Sequence, residues 1–96
     1  MARRNYVVTY DIADDRRRAR LFKALHGFGD WAQFSVFFCQ LKEEELARLR
    51  LAVREHIHEG EDQVLIVEVG QSARPLETSL QVVGRSYDPP VRTVVV

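Results

Sequence analysis

Apolar residues fall into strand-like runs along the chain. Residues 5–12 are rich in β-branched and aromatic side chains, which predicts a buried strand. Residues 31–41 form a second strand region, which fits either one long strand or two short strands with a kink. Residues 63–69 predict another clear strand. Residues 80–83 have the composition of a short strand, and the apolar tail at residues 91–96 also has strand character.

Two segments between these runs have helical periodicity. The first covers residues 15–25, and two aspartates at its start can cap it: Asp14 and Asp15. The second covers residues 42–58. Its apolar stripe, at i, i+3, i+7 and i+11, predicts which face is buried: Leu46, Leu49, Val53 and Ile57.

This order of elements predicts an α+β fold. We expect a single ferredoxin-like domain over residues 1–96, with two helices on one face of an antiparallel sheet and an extra C-terminal strand. Both sheet faces carry apolar residues. In the first strand Val8, Tyr10 and Ile12 point one way and Val7, Thr9 and Asp11 the other, and the strand at residues 63–69 also has apolar residues on both faces. Two helices can cover only one face, so we expect a homodimer that covers the other. Exchange of the strand at residues 91–96 between protomers would protect a free edge.

Composition adds little to this picture. The 14 basic and 14 acidic residues balance, so any nucleic-acid binding depends on how the charges are distributed. Cys39 is the single cysteine, which excludes a disulfide framework or a multi-cysteine zinc site within one chain. The short polar start does not resemble a signal peptide, and no apolar run is long enough to span a membrane. A cytoplasmic location is expected.

Asp11 is the strongest candidate for a catalytic or metal-binding residue. It ends an apolar strand, where a charge is costly unless it is paired or binds a cation. A lone aspartate is more often a turn or cap residue, but Asp14 and Asp15 suit that role better. One carboxylate holds Mg²⁺ poorly, because the ion takes near-octahedral oxygen ligands. A two-fold axis would bring a second Asp11, and a metal there could activate water against a phosphate.

A basic cluster follows Asp11 in the sequence. Its members predict binding to backbone phosphates, although a solvated helix face explains them equally well. On a helix, Arg16, Arg20 and Lys23 share one face, because they stand at positions i, i+4 and i+7. The candidates for nucleic-acid binding are Arg16, Arg17, Arg20 and Lys23, with Arg18 between them.

Aromatic residues in the second strand region offer another kind of contact. Trp31, Gln33, Ser35 and Phe37 alternate on one face. The Trp and Phe rings could stack on nucleobases, but such residues more often belong to the core. Cys39 lies in the same apolar run and is expected to be a buried, unreactive thiol.

Two motifs resemble a known family. Residues 6–12, Tyr-Val-Val-Thr-Tyr-Asp-Ile, followed by an aspartate pair and the arginine cluster, resemble the opening of the CRISPR-associated family Cas2. Residues 33–37, Gln-Phe-Ser-Val-Phe, resemble its second signature. The spacing between the motifs and the length of the chain also agree. Phe38 stands where many members carry Glu, and Trp31 stands where some carry Arg.

The resemblance implies a ferredoxin-like homodimer in which Asp11 from both protomers flanks a divalent metal, magnesium (Mg²⁺) or manganese (Mn²⁺). It implies a metal-dependent endonuclease acting on RNA or DNA. It also implies a partnership with the Cas1 integrase during spacer acquisition, in which the dimer binds duplex DNA. Tyr10, Arg18, Arg20 and Phe37 match family positions linked to function, and with Asp11 they are the catalytic candidates.

Three functions stay open from the sequence. The first is a phosphodiesterase that uses paired Asp11 residues and Mg²⁺. The second is a dimeric scaffold that holds DNA for an integrase and has no chemistry of its own. The third lies outside the family: a ferredoxin-like regulatory or toxin-type ribonuclease module.

Overall fold

The computed structural model describes residues 3–71 and 73–87. Four strands pair antiparallel, and across the sheet they follow the order fourth, first, third and second in the chain, which is the ferredoxin-like arrangement and confirms the predicted fold class. The elements are β1 (Arg4–Asp11), α1 (Asp15–Leu25), β2 (Asp30–Gln33), β3 (Val36–Leu41), α2 (Glu43–His56), β4 (Gln63–Gln71) and a short 3₁₀ helix (Leu76–Ser79).

The core lies between the two helices and one face of the sheet. Alternate residues of β1 and β3 point into it, as the two-residue period of a strand requires. The predicted stripe of α2 is confirmed, since Leu46, Leu49 and Val53 are buried. Asp14 caps α1 by accepting a hydrogen bond from the backbone N–H of Arg17 at 2.8 Å.

The ambiguous region at residues 31–41 consists of two strands. The chain turns at Phe34, whose φ of 39° lies in the left-handed region. The indole Nε1 of Trp31 donates a hydrogen bond to the backbone oxygen of Phe34 at 2.8 Å and closes this turn. The sequence did not reveal it because the turn contains neither glycine nor proline.

The strand predicted at residues 80–83 is wrong. This segment follows Pro75 and the 3₁₀ helix, and it forms no ladder with the sheet. A strand needs a neighbouring strand that accepts and donates its backbone hydrogen bonds, and apolar composition alone does not supply one. The extra strand predicted at residues 91–96 lies outside the described residues.

Among the described residues, α1 and α2 both pack on the core face of the sheet, so neither covers the second face. Leu65, Val67 and Val69 of β4 are each about half exposed there, beside Val7 and Thr9 of β1. We call the surface formed by these five residues and Asp11 the open face. No helix of the described chain combines the length and the apolar character needed to cross a bilayer.

Candidate functional site

Asp11 lies at the end of β1, on the open face. It pairs with Gln63 of β4, and its side chain is exposed. Within residues 3–71 and 73–87, no hydrogen bond or ion pair engages its carboxylate. The same part of the chain contains no group of three or more His, Cys, Asp or Glu side chains able to hold a metal. Within the described residues, Asp11 therefore presents an unpaired carboxylate at the edge of an apolar surface.

Tyr10 lies on the opposite side of the sheet from Asp11 and is buried in the core. Its backbone N–H donates to the oxygen of Ser35 at 3.1 Å, and its side chain hydrogen-bonds to Ser35. Burial raises the pKa of Tyr10, while Ser35 and the charge of Arg18 oppose that shift. Tyr10 therefore stays protonated at neutral pH and can act as a hydrogen-bonding group, not as a base.

Phe37 is fully buried, with its ring 5.6 Å from that of Phe22 and 5.2 Å from that of His26. The interpretation of Phe37 as a core residue is confirmed, and stacking of a base on Phe37 is excluded by its burial. Cys39 is also buried, and burial raises the pKa of its thiol to about 12. Both side chains support the strands that carry Tyr10 and Asp11.

Some residues of the basic cluster form salt bridges, and others form none within the described residues. Arg18 donates to the backbone oxygen of Ile12 at 3.0 Å and pairs with Asp15. Arg17 is held by acidic residues that precede β4. The remaining three are exposed and form no salt bridge within the described ranges: Arg16, Arg20 and Lys23.

Asp62 is a structural residue that the sequence did not identify. Its buried carboxylate accepts hydrogen bonds from the N–H groups of Ala13 at 2.9 Å and His58 at 2.8 Å. The Nε of Arg17 also donates to it at 2.8 Å. The Arg17 guanidinium, with help from the two backbone N–H groups, holds the pKa of Asp62 well below its usual range. Asp62 thus ties the loop after Asp11 to the start of β4.

An Asp62→Asn variant should lose stability at neutral pH. The folded-state pKa of Asp62 is lowered, so its stabilising effect is complete above the unfolded value, about 3.9. That effect fades as the pH falls below about 4, so the melting temperatures of wild type and variant should converge there. Melting followed by circular dichroism at several pH values measures this. Glu55→Gln, at an exposed site on α2, should leave the melting temperature unchanged. An Asp62→Asn deficit that stays constant with pH would contradict the prediction.

Comparison with known proteins agrees with the two sequence motifs. A family model described as CRISPR associated protein Cas2 matches residues 4–74. The chain is 40% identical over 91 residues to the "CRISPR-associated endoribonuclease Cas2" of Geobacter sulfurreducens, with 95% of each chain covered. A crystal structure of a hypothetical protein from Thermus thermophilus is 35% identical and superposes with a TM-score of 0.75, covering 92% of this chain and 99% of that one. A structure titled "Crystal structure of cas2" is 29% identical with a TM-score of 0.74, covering 98% and 100%. This chain belongs to the CRISPR-associated protein Cas2 family.

Proposed function

We propose that this protein is a metal-dependent endonuclease of CRISPR adaptation that acts as a homodimer on RNA or DNA. The observation that carries the proposal is the free carboxylate of Asp11 at the edge of the open face. The naming of the Geobacter sulfurreducens relative as an endoribonuclease supports it. Family membership favours this function over a toxin-type module.

The open face is the proposed dimer surface. Its apolar residues are about half exposed in one chain, and burying them against a second copy would remove that area from water. In a two-fold dimer each residue of the interface can meet its own copy. Two Asp11 carboxylates would then face each other across the axis, and neither forms an ion pair within the described residues of its own chain.

The donor chemistry of this pair suits a hard divalent cation. Asp11 offers carboxylate oxygens, which favour Mg²⁺ or Mn²⁺. Among the described residues, no group of His, Cys, Asp or Glu side chains forms an alternative metal site. A bound divalent ion would polarise the scissile phosphate and lower the pKa of a coordinated water. Asp11 from each protomer would hold it, with water and phosphate oxygens completing the shell.

Other residues of the chain would bind and position the substrate. Arg16, Arg20 and Lys23 are exposed and can contact phosphates along the strand. Arg18 binds the carbonyl of Ile12 and so orients the backbone that follows Asp11. Tyr10 and Phe37 act from the core, where they fix β1 against β3. They are positioning residues rather than groups that touch the phosphate.

The exposed basic side chains of α1 favour a second function. Three basic residues without salt bridges in the described ranges suit a scaffold that holds duplex DNA for the Cas1 integrase. Such a scaffold needs the dimer and the basic residues but no metal. Metal dependence therefore separates the two functions.

Chelation tests the enzymatic proposal. Wild-type protein freed of metal with EDTA should cleave neither single-stranded RNA nor DNA above background, and added Mg²⁺ or Mn²⁺ should restore cleavage. Denaturing gels with end-labelled substrates measure the rate, and the melting temperature shows that the chelated protein remains folded. Cleavage that persists in EDTA would point to a contaminating or metal-free nuclease. A protein that stays inactive with every metal while it binds duplex DNA would favour the scaffold.

A further inference from the structure

Phe34 is the most unusual residue on the surface of this protein. It lies in the turn between β2 and β3, its side chain is 82% exposed, and its φ is 39°. Large side chains seldom occupy the left-handed region, because the Cβ atom crowds the backbone there. Residues held in sparsely populated backbone conformations cluster at functional sites, so the φ of Phe34 requires an explanation.

A second aromatic residue holds this turn in place. The indole Nε1 of Trp31 donates to the backbone oxygen of Phe34 at 2.8 Å. The ring of Trp31 packs edge-on against Phe22 of α1, with ring centroids 5.9 Å apart. The turn is thus fixed to the helix layer, and the Phe34 ring is held in solvent rather than in the core.

The pairing of β1 with β3 brings Phe34 to the same end of the sheet as Asp11. In the ladder between β1 and β3, Thr9 is paired with Val36. The next rung joins the N–H of Tyr10 to the oxygen of Ser35 at 3.1 Å. Asp11 follows Tyr10 and Phe34 precedes Ser35, so each lies one residue from this hydrogen bond. The exposed ring therefore lies at the same end of the sheet as the carboxylate at which we place the scissile phosphate.

Phe34 also lines a groove that fits an organic ring. The groove has a volume of about 760 Å³ and lies between the β2–β3 edge and residues 80–87. Its walls include Trp31, Phe34, Arg85 and Tyr87. The hydroxyl of Tyr87 is buried, with no hydrogen-bond partner in the described chain. This edge lies at the far side of the sheet from β4, where the apolar part of the open face is located.

We propose that Phe34, supported by Trp31, is a stacking platform for an unpaired nucleobase next to the phosphate held at Asp11. The inference rests on the proposed function and defines its substrate as single-stranded at this position. Aromatic rings with a cation nearby bind bases without strong sequence preference, because every base has a π-face. Paired bases inside a duplex are already stacked and offer no free face.

Tryptophan fluorescence can measure binding at this site. Trp31 is the single tryptophan, so its fluorescence reports on the groove alone. In EDTA and at fixed salt, a short single-stranded oligonucleotide should quench Trp31. An oligonucleotide of equal length with abasic sites should bind with little quenching, because it keeps the phosphates and lacks the bases. A blunt duplex should also quench weakly.

Phe34→Ala should weaken binding of the single strand about 5- to 150-fold, the usual effect of removing one stacked ring. Phe34→Tyr keeps the ring and should bind nearly as wild type does. Leu51→Ala, at another exposed apolar site, on α2, should have no effect. Circular dichroism and sedimentation should show an unchanged fold and oligomeric state for all three variants.

Several outcomes would overturn the inference. Unchanged affinity in Phe34→Ala would exclude stacking, and equal weakening for the abasic strand would mean a backbone contact instead. A changed oligomeric state in Phe34→Ala would identify the ring as a contact between protomers. The experiment needs no cleavage, so it is independent of catalysis. If the protein never cleaves but shows quenching that depends on Phe34, the proposed nuclease fails and the stacking site stands.

Discussion

An Asp11→Asn variant should cleave nucleic acid at least about 10³-fold more slowly than wild type. A metal ion contributes several kcal/mol to such a reaction, and each 1.36 kcal/mol corresponds to about tenfold in rate. The amide has nearly the same shape as the carboxylate but carries no charge, and in a dimer both charges are lost together. Initial rates with saturating Mg²⁺ or Mn²⁺ measure the effect.

The same variant should remain folded and dimeric. Asp11 makes no hydrogen bond or ion pair in the described part of the chain, so removing its charge breaks no contact there. In the absence of metal the dimer should become no weaker, because two facing carboxylates repel each other. Glu55→Gln, which removes an exposed carboxylate on α2, should cleave as wild type does. Cleavage that survives in Asp11→Asn would remove Asp11 from the catalytic site.

Duplex DNA binding by Asp11→Asn distinguishes the two proposed functions. If the variant loses cleavage and keeps both DNA binding and integrase-dependent spacer acquisition, the protein acts mainly as a scaffold. If acquisition is lost while the complex still assembles, the metal site contributes to the process itself.

Leu65→Arg should disrupt the proposed homodimer, raising its dissociation constant at least about 10²-fold. An unpaired charge buried in an interface costs about 3–5 kcal/mol, and the two-fold axis introduces two of them. The cleavage rate should decrease as the dimer dissociates, because each monomer carries only one Asp11. Sedimentation over a range of protein concentrations measures the dimer, and circular dichroism checks the fold.

A matched control exists on the opposite side of the molecule. Leu51 on α2 is 63% exposed and Leu65 on β4 is 51% exposed, so both can accept an arginine without disturbing the core. Leu51→Arg should leave the dimer and the cleavage rate unchanged. Equal effects of the two variants, or none from Leu65→Arg, would place the interface away from the open face.

Local periodicity was sufficient to predict much of this fold. The two-residue alternation of β1 separates Tyr10 from Asp11, and the structure places them on opposite sides of the sheet. The apolar stripe of α2 likewise identifies its buried face. These features depend on neighbours within a few residues, where backbone geometry determines which side chains share a face.

The division of the basic cluster could not be predicted in this way. Arg17 and Asp62 are 45 residues apart, and only the packing of α1 beside the start of β4 brings them together. Nothing in the local sequence distinguishes Arg17, which pairs with Asp62, from Arg16 and Arg20, which form no salt bridge within the described residues. The turn at Phe34 is similar, because it depends on an indole held by the helix layer.

The sequence by itself therefore determined the order of the elements, the faces of β1 and the family motifs around Asp11 and residues 33–37. Tertiary structure decided that Asp11 has no ion pair within the described residues, that Phe37 belongs to the core, and that Phe34 is an exposed ring at the same end of the sheet. The physical reason is the range of the interactions. Side-chain direction follows from local backbone geometry, whereas partners, burial and strain depend on segments that meet only in the folded chain.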